Sequence, residues 1–176
     1  VDRLTRRIEQ VLALARSDAG SDIVRVDLLE IVENRVSSAS ARAKVEGIRF
    51  DLDVASGVDR VMAGEGAISR VIDEMIGNAL TYARSVIRVT VQQVNARVEM
   101  CVDDDGPGVK ESERESIFER FERGSQSISG GSGLGLALVR ETARSSGGDA
   151  WAQRSDLGGL RVCTTWPVVP RGARQE

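Results

Sequence analysis

The chain has 176 residues, of which 41% are hydrophobic and only 3% aromatic, so it suits a single domain with an aliphatic core. A net charge of −3 argues against the concentrated basic surface that non-specific nucleic-acid binding requires, and we expect no nucleic-acid partner. No apolar run approaches the roughly 20 residues of a membrane-spanning helix, and no signal peptide is visible.

Two residue types are informative because they are scarce. The two cysteines, Cys101 and Cys163, each lie in an apolar, strand-like run, which favours buried free thiols in a reducing compartment over a disulfide. Histidine is absent from the whole chain.

The first predicted element is an amphipathic helix over residues 1–16. Its apolar stripe (Leu4, Ile8, Val11, Leu12 and Ala15) has helical spacing, and a turn-rich hinge follows up to Asp22. The helix either packs on its own domain or is a truncated arm whose stripe faces a partner helix outside this sequence.

Two helices and a strand are predicted next. A helix should begin near Asp27 and run to Gly47, because Glu30 follows Asp27 at the spacing of a capping box. Residues 48–54 alternate between apolar and polar, which indicates a half-buried strand. Residues 67–83 have the apolar periodicity of a second helix.

The remaining elements are predicted to be two hairpins, a polar irregular stretch and a helix. They cover residues 85–94 and 97–102, then 109–131 with a short helix at 113–121, then a helix at 134–145, then strands at 148–154 and 160–166. The order predicts a two-layer α/β sandwich, in which three helices cover one face of a mixed, mostly antiparallel sheet of about five strands. The domain should span residues 23–168, followed by a disordered tail at 169–176.

The segment Asp104-Asp105-Gly106-Pro107-Gly108 follows a predicted strand and carries the first candidate site. Its glycines permit unusual backbone angles and let a planar ligand lie against bare backbone. The Asp104 carboxylate can accept a hydrogen bond from an exocyclic amine such as that of adenine. The alternative is an ordinary Asp-Gly turn; a calcium loop fits less well, because the closing Glu of an EF-hand is missing.

Three polar residues of the 67–83 helix form the second candidate. Glu74 and Asn78 share one helix face at i and i+4, and Tyr82 lies one turn further on. The Asn78 amide oxygen suits Mg²⁺, and Glu74 can orient or deprotonate an attacking group or hold a metal-bound water. The alternatives are a solvated polar face and a core tyrosine.

A glycine run that opens the 134–145 helix forms the third candidate. The segment 130–136 presents free N–H groups that suit phosphate oxygens. It lacks the Lys of a P-loop and the upstream strand of a dinucleotide fingerprint. Before it, Phe118 and Phe121 either fix a loop to the core or belong to a lid, in which Arg120 or Arg123 reaches a γ-phosphate.

Together these segments resemble the N, G1, F and G2 boxes of sensor histidine kinases, which share the Bergerat ATP-binding fold with the gyrase B, Hsp90 and MutL ATPases. The resemblance covers roughly residues 25–167, and residues 1–22 are similar to the truncated end of the helical hairpin for dimerisation and phosphoacceptance. It implies ATP and Mg²⁺ as ligands, Asn78 as the metal ligand, Asp104 as the adenine reader and Tyr82 as the stacking ring. It implies a nucleotide site formed by Gly106, Gly108, Val109, Arg120, Gly131, Ser132, Gly133, Leu134, Gly135 and Leu136, with Glu74, Asn78 and Arg123 catalytic.

The chain also departs from the family pattern. Many of these kinases have Asn where Glu74 stands, Thr81 replaces a common basic residue, and Ser146 replaces a frequent His. Because the chain lacks histidine, it should donate the γ-phosphoryl group of ATP to a histidine on a separate hairpin and cannot phosphorylate itself on histidine. The nearest alternative is an ATPase of the same fold with Glu74 as base; others are a serine-directed anti-sigma kinase and a non-catalytic nucleotide-gated binding module.

The resemblance implies partners as well. A cognate response regulator should receive the phosphoryl group from the hairpin. The parent protein is expected to be a membrane-anchored homodimer with this domain in the cytoplasm, and the fragment is expected to be a soluble monomer.

Overall fold

The computed structural model describes residues 23–122, 124–125 and 133–169. The predicted helix and hinge at 1–22 and residues 170–176 of the predicted tail lie outside these ranges. Within them, none of the helices combines the length and the apolar character needed to cross a membrane.

After a first short strand, each helix is followed by two strands. The elements are β1 (Val24–Val26), α1 (Leu28–Ala43), β2 (Arg49–Val54), β3 (Val61–Ala63), α2 (Glu65–Tyr82), β4 (Val86–Val94), β5 (Arg97–Asp104), α3 (Gly135–Ser145), β6 (Asp149–Arg154) and β7 (Leu160–Pro167). The main sheet has the order β2-β4-β5-β7-β6, with β2 and β4 parallel and the other pairs antiparallel. The predicted two-layer α/β sandwich with a mixed five-stranded sheet is confirmed.

One hydrophobic core joins the helices to the sheet. Val71 and Met75 of α2 are buried with Val89 of β4, Met100 of β5 and Trp166 of β7. Residues at every second position of the strands are therefore turned to the helices, as their alternation requires. This packing places the end of β5 and the start of β7 beside the end of α2.

Both ends of α1 follow from its sequence. The Asp27 carboxylate accepts a hydrogen bond from the Glu30 N–H (3.2 Å), so Asp27 caps the helix as predicted. After a short 3-10 turn the chain leaves the helix at Gly47, whose φ of 76° favours glycine.

The short pairing of β1 with β3 is absent from the sequence-based prediction. Each strand has only three residues, and three residues are too few to display an alternating pattern. The backbone after β7 also stays attached, because Val168 N donates to Ala96 O and Val169 N donates to Arg60 O. The boundary at residue 168 remains a prediction.

The predicted helix at 113–121 is wrong. The chain forms two separate 3-10 turns, Glu111–Glu113 and Ser116–Phe118. Ile117 and Phe118 are buried, but Phe121 is 65% exposed with a φ of 69°, so this segment has one point of attachment to the core instead of an apolar helix face.

The expectation of free thiols is also wrong. Cys101 of β5 and Cys163 of β7 lie directly opposite each other in the antiparallel ladder and form a disulfide. The two residues are 62 positions apart in the sequence, so their pairing depends on the strand register.

Candidate functional site

The centre of the candidate site is the Asp104 carboxylate at the end of β5. Asp104 is 3% exposed, and its Oδ1 accepts hydrogen bonds from Gly106 N (2.8 Å) and Leu160 N (3.2 Å). The pKa of Asp104 is raised because the carboxylate is buried, and the hydrogen bonds from these two N–H groups offset only part of that rise. Both of the hydrogen bonds donated by described residues end on Oδ1, which leaves Oδ2 as the oxygen available to a ligand.

Glycines surround this carboxylate because side chains do not fit there. A Cβ on Gly106 would collide with the backbone carbonyl of Tyr82, and a Cβ on Gly159 would collide with Asp104 Oδ1. Gly108 has a φ of 71°, and a Cβ there would lie 3.1 Å from Gly159 O. The walls beside Asp104 are therefore bare backbone, the surface that a flat ring can approach closely.

Helix α2 brings its polar face to the same region. Tyr82 is the last residue of α2 and contacts Gly106 through its backbone, while Asn78 and Glu74 lie one and two turns earlier. The Asn78 side chain is partly exposed and has no hydrogen-bond partner among the described residues. Burial raises the pKa of Glu74, Asp73 raises it further and Arg70 lowers it.

The start of α3 lies against α2. Gly135, the first residue of α3, is so close to Glu74 that a Cβ there would lie 2.5 Å from Glu74 Oε2. Leu134 is the N-cap residue of the helix, and its apolar side chain cannot accept a hydrogen bond from the N–H groups of the first turn. Gly133 has a φ of 69°, and a Cβ there would lie 2.9 Å from the Phe121 backbone.

Not every predicted site residue lies in this cluster. Arg120 donates from Nη2 to Glu141 Oε2 of α3 (2.9 Å) in an exposed ion pair, so this part of its guanidinium already has a partner. Val109 and Leu136 are partly buried and pack on the core. Arg123, Gly131 and Ser132 lie outside the described residues, so their roles stay predictions.

Two neighbouring contacts were not anticipated from the sequence. The Asp105 carboxylate accepts hydrogen bonds from Arg84 N, Ser85 N and Ser85 Oγ. Burial would raise the pKa of Asp105, but these bonds lower it to about 2. The second contact is made by Leu160 N on Asp104 Oδ1, and its only signal in the sequence is the Gly158-Gly159 pair before it.

Comparison with known proteins agrees with this geometry. The family described as histidine kinase-, DNA gyrase B- and HSP90-like ATPase matches residues 63–170. The chain is 36% identical over 177 residues to the sensor-type histidine kinase PrrB of Mycobacterium tuberculosis, covering 95% of this chain and 38% of the relative. It is 29% identical to the sensor histidine kinase CpxA of Escherichia coli, covering 96% of this chain and 38% of that protein. The chain thus spans less than half the length of these curated relatives.

Solved structures show the same relationship. Full-length ShkA in complex with AMPPNP superposes with a TM-score of 0.81 at 28% identity, covering 96% of this chain and 36% of that chain. The ATP-binding domain of PrrB from Mycobacterium tuberculosis superposes with a TM-score of 0.64 at 29% identity, covering 84% and 98%. The chain belongs to the histidine kinase-, DNA gyrase B- and HSP90-like ATPase family, as a domain of the sensor histidine kinase type.

Proposed function

We propose that this domain binds Mg²⁺-ATP and donates the γ-phosphoryl group to a histidine on a separate helical hairpin. The observation that carries the proposal is the buried Asp104 carboxylate, whose Oδ1 lies against the bare backbones of Gly106 and Gly159 and whose Oδ2 has no hydrogen-bond partner among the described residues. The 6-amino group of adenine would satisfy this oxygen. A ligand without that amine would leave a buried acceptor unpaired, which costs roughly 1–3 kcal/mol.

The residues around Asp104 also fit a phosphate chain and its metal. Asn78 has a neutral amide oxygen without a partner among the described residues, on the helix face that ends at Tyr82 beside the glycine turn. Such an oxygen is suited to Mg²⁺, which, when bound, would neutralise phosphate charge. The start of α3 at Gly135 would supply N–H groups and the positive end of a helix dipole to phosphate oxygens.

Each of these groups would act by positioning. Phosphoryl transfer requires orientation and charge neutralisation more than covalent chemistry by the protein. Asp104 would fix the base, Asn78 would hold the metal, and the α3 amides would hold the phosphates. The acceptor histidine lies outside these 176 residues, because the chain contains no histidine. Catalysis would therefore depend on docking of the acceptor hairpin, from which a response regulator would take the phosphoryl group.

One observation favours a second function, hydrolysis of ATP with Glu74 as the base. Glu74 is partly buried, and burial raises its pKa, which makes its carboxylate a stronger base. A water activated by Glu74 would then replace the histidine acceptor. The two functions differ in what happens to the γ-phosphoryl group when an acceptor hairpin is added.

The test combines calorimetry with a transfer assay. Wild-type protein should bind ATP more tightly with Mg²⁺ than without it, and Asn78→Ala should lose that difference. Ser38→Ala on α1, which removes an exposed hydroxyl bonded to Asn34 O, should behave like wild type. In the assay, label from the γ-position of ATP should move to a histidine-bearing hairpin of a sensor kinase.

Three results would count against the proposal. If ATP binds equally well with and without Mg²⁺, the metal role of Asn78 is wrong. If the protein releases phosphate rapidly and Glu74→Gln stops the release while added hairpin stays unlabelled, the domain is an ATPase. If the protein binds no adenine nucleotide, the proposed function fails as a whole.

A further inference from the structure

Asp104 stands between two other aspartates whose side chains do not face the ligand position. Asp103 is 2% exposed and lies on β5 opposite Arg161 of β7. Its Oδ1 accepts a hydrogen bond from Ser155 Oγ (2.7 Å), and its Oδ2 lies 3.6 Å from Arg161 Nε without a hydrogen bond. Asp103 thus connects the end of β5 to the turn between β6 and β7.

That turn supports the Asp104 carboxylate directly. Ser155 N donates to Gly159 O, Gly159 N donates to Asp104 O, and Leu160 N donates to Asp104 Oδ1. Ser155 Oγ also accepts from Leu157 N, so the hydroxyl held by Asp103 organises the turn from within. The position of one of the two N–H groups that orient Asp104 therefore depends on a contact made by Asp103.

Asp105 makes hydrogen bonds to the segment that follows α2, on the other side of Asp104 from the β6–β7 turn. Its carboxylate accepts from Arg84 N (2.7 Å), Ser85 N (3.1 Å) and Ser85 Oγ (2.6 Å), the residues that lead from α2 into β4. This link keeps the end of α2, where Tyr82 contacts Gly106, against the glycine turn.

We propose that Asp103 and Asp105 are positioning residues for adenine recognition: Asp103, through Ser155, sets the β6–β7 turn, and Asp105 sets the end of α2. The inference rests on the proposed function, in which Asp104 reads the amine. Of the three consecutive carboxylates, that of Asp104 would bind the adenine amine, and those of Asp103 and Asp105 would hold the backbone on either side of it in place.

Stability alone does not account for a charge at position 103. Burial raises the pKa of Asp103, although Ser155 and Arg161 lower it, and one of its oxygens lacks a hydrogen bond. Replacing a buried ion pair by apolar residues is often neutral or stabilising. The buried Asp103 carboxylate therefore does not add clearly to stability, but it orients the β6–β7 turn that supports Asp104, which is consistent with a role in the site.

The test compares two nucleotides that differ at the amine. ATP carries the 6-amino group, and inosine triphosphate carries a carbonyl there. Wild-type, Ser155→Ala, Asp105→Ala and the control Asp156→Ala, which removes an exposed carboxylate from the same β6–β7 turn, are titrated calorimetrically with both. Their melting temperatures are measured in parallel.

Ser155→Ala and Asp105→Ala should each weaken ATP binding by about 5- to 10-fold, the effect of roughly one hydrogen bond. They should leave binding of inosine triphosphate within about twofold, whereas Asp156→Ala should change neither. A loss shared equally by both nucleotides would show a general structural effect and overturn the inference.

A double variant and a reference variant separate the remaining cases. Asp103→Ala combined with Ser155→Ala should weaken ATP binding no more than Ser155→Ala alone, because the two groups act as one unit. If Asp105→Ala fails to fold, the graded change Ser85→Ala, which removes only the hydroxyl donor to Asp105, gives the same comparison for the α2 side of the site. If Asp104→Ala removes the preference for ATP over inosine triphosphate while Ser155→Ala and Asp105→Ala keep it, the inference is wrong and the proposed function stands. If the wild-type protein has no such preference, the proposed function itself fails.

Discussion

Asp104→Asn should do more than weaken the site, because the structure determines how an amide would lie there. Gly106 N and Leu160 N both donate to Oδ1, so the carbonyl oxygen of the introduced amide would occupy that position. The NH₂ group of the amide would then replace Oδ2, the oxygen that we propose accepts the adenine amine. A donor would face the adenine amine, which is also a donor.

The size of the effect follows from the bond that is lost. A hydrogen bond to a charged group contributes roughly 1.5–3 kcal/mol. At about 1.4 kcal/mol per tenfold change, Kd for ATP should rise about 10- to 150-fold. Inosine triphosphate presents an acceptor to the new NH₂ group, so its affinity should be kept or improved. Calorimetric titration of both nucleotides measures the reversal.

The same substitution should stabilise the free protein at neutral pH. The folded-state pKa of Asp104 is raised by burial, so this group favours folding below its ordinary pKa of 3.8 and loses that contribution as the pH rises through the folded value. The variant lacks this loss, and its advantage in urea unfolding should disappear towards about pH 3, below the ordinary pKa.

If Asp104→Asn kept a wild-type preference for ATP, the assignment of Oδ2 as the adenine acceptor would be refuted.

Three other predictions concern the surroundings of Asp104. Asp105→Asn should lower the unfolding free energy by about 1 kcal/mol at pH 7 after allowance for solvent screening. The pKa of Asp105 in the folded protein is about 2, below the ordinary 3.8, so the deficit of the variant should shrink as the pH falls from about 4 to about 2. A deficit independent of pH would contradict this. Gly159→Ala should abolish ATP binding, because its Cβ would displace Asp104 Oδ1 and Gly106 N; wild-type titration curves would disprove it. Reduction of the Cys101–Cys163 disulfide should lower the unfolding free energy by about 2–4 kcal/mol in urea titrations, and no effect of reductant would show that the thiols are unpaired.

The parts of the site that the sequence predicted are those whose chemistry is local. The capping of α1 by Asp27 and the strand alternation that leads to Asp104 depend on neighbours within a few residues. The i and i+4 spacing of Glu74 and Asn78 is likewise a property of one helix. The failed prediction of a helix at 113–121 lies where the pattern was weakest, in a polar segment attached to the core through Ile117 and Phe118.

The sequence by itself determined the order of α1, α2, α3 and the five strands of the main sheet, the place of a glycine turn after a buried strand, and the lack of any histidine to accept a phosphoryl group. Only the tertiary structure decided which oxygen of Asp104 is available, because Leu160, whose N–H engages Oδ1, is 56 positions away. It likewise decided that Cys101 meets Cys163, and that Asp103 reaches Ser155. Periodicity and turn chemistry act between neighbours in the chain, whereas strand register brings distant groups to within hydrogen-bonding distance.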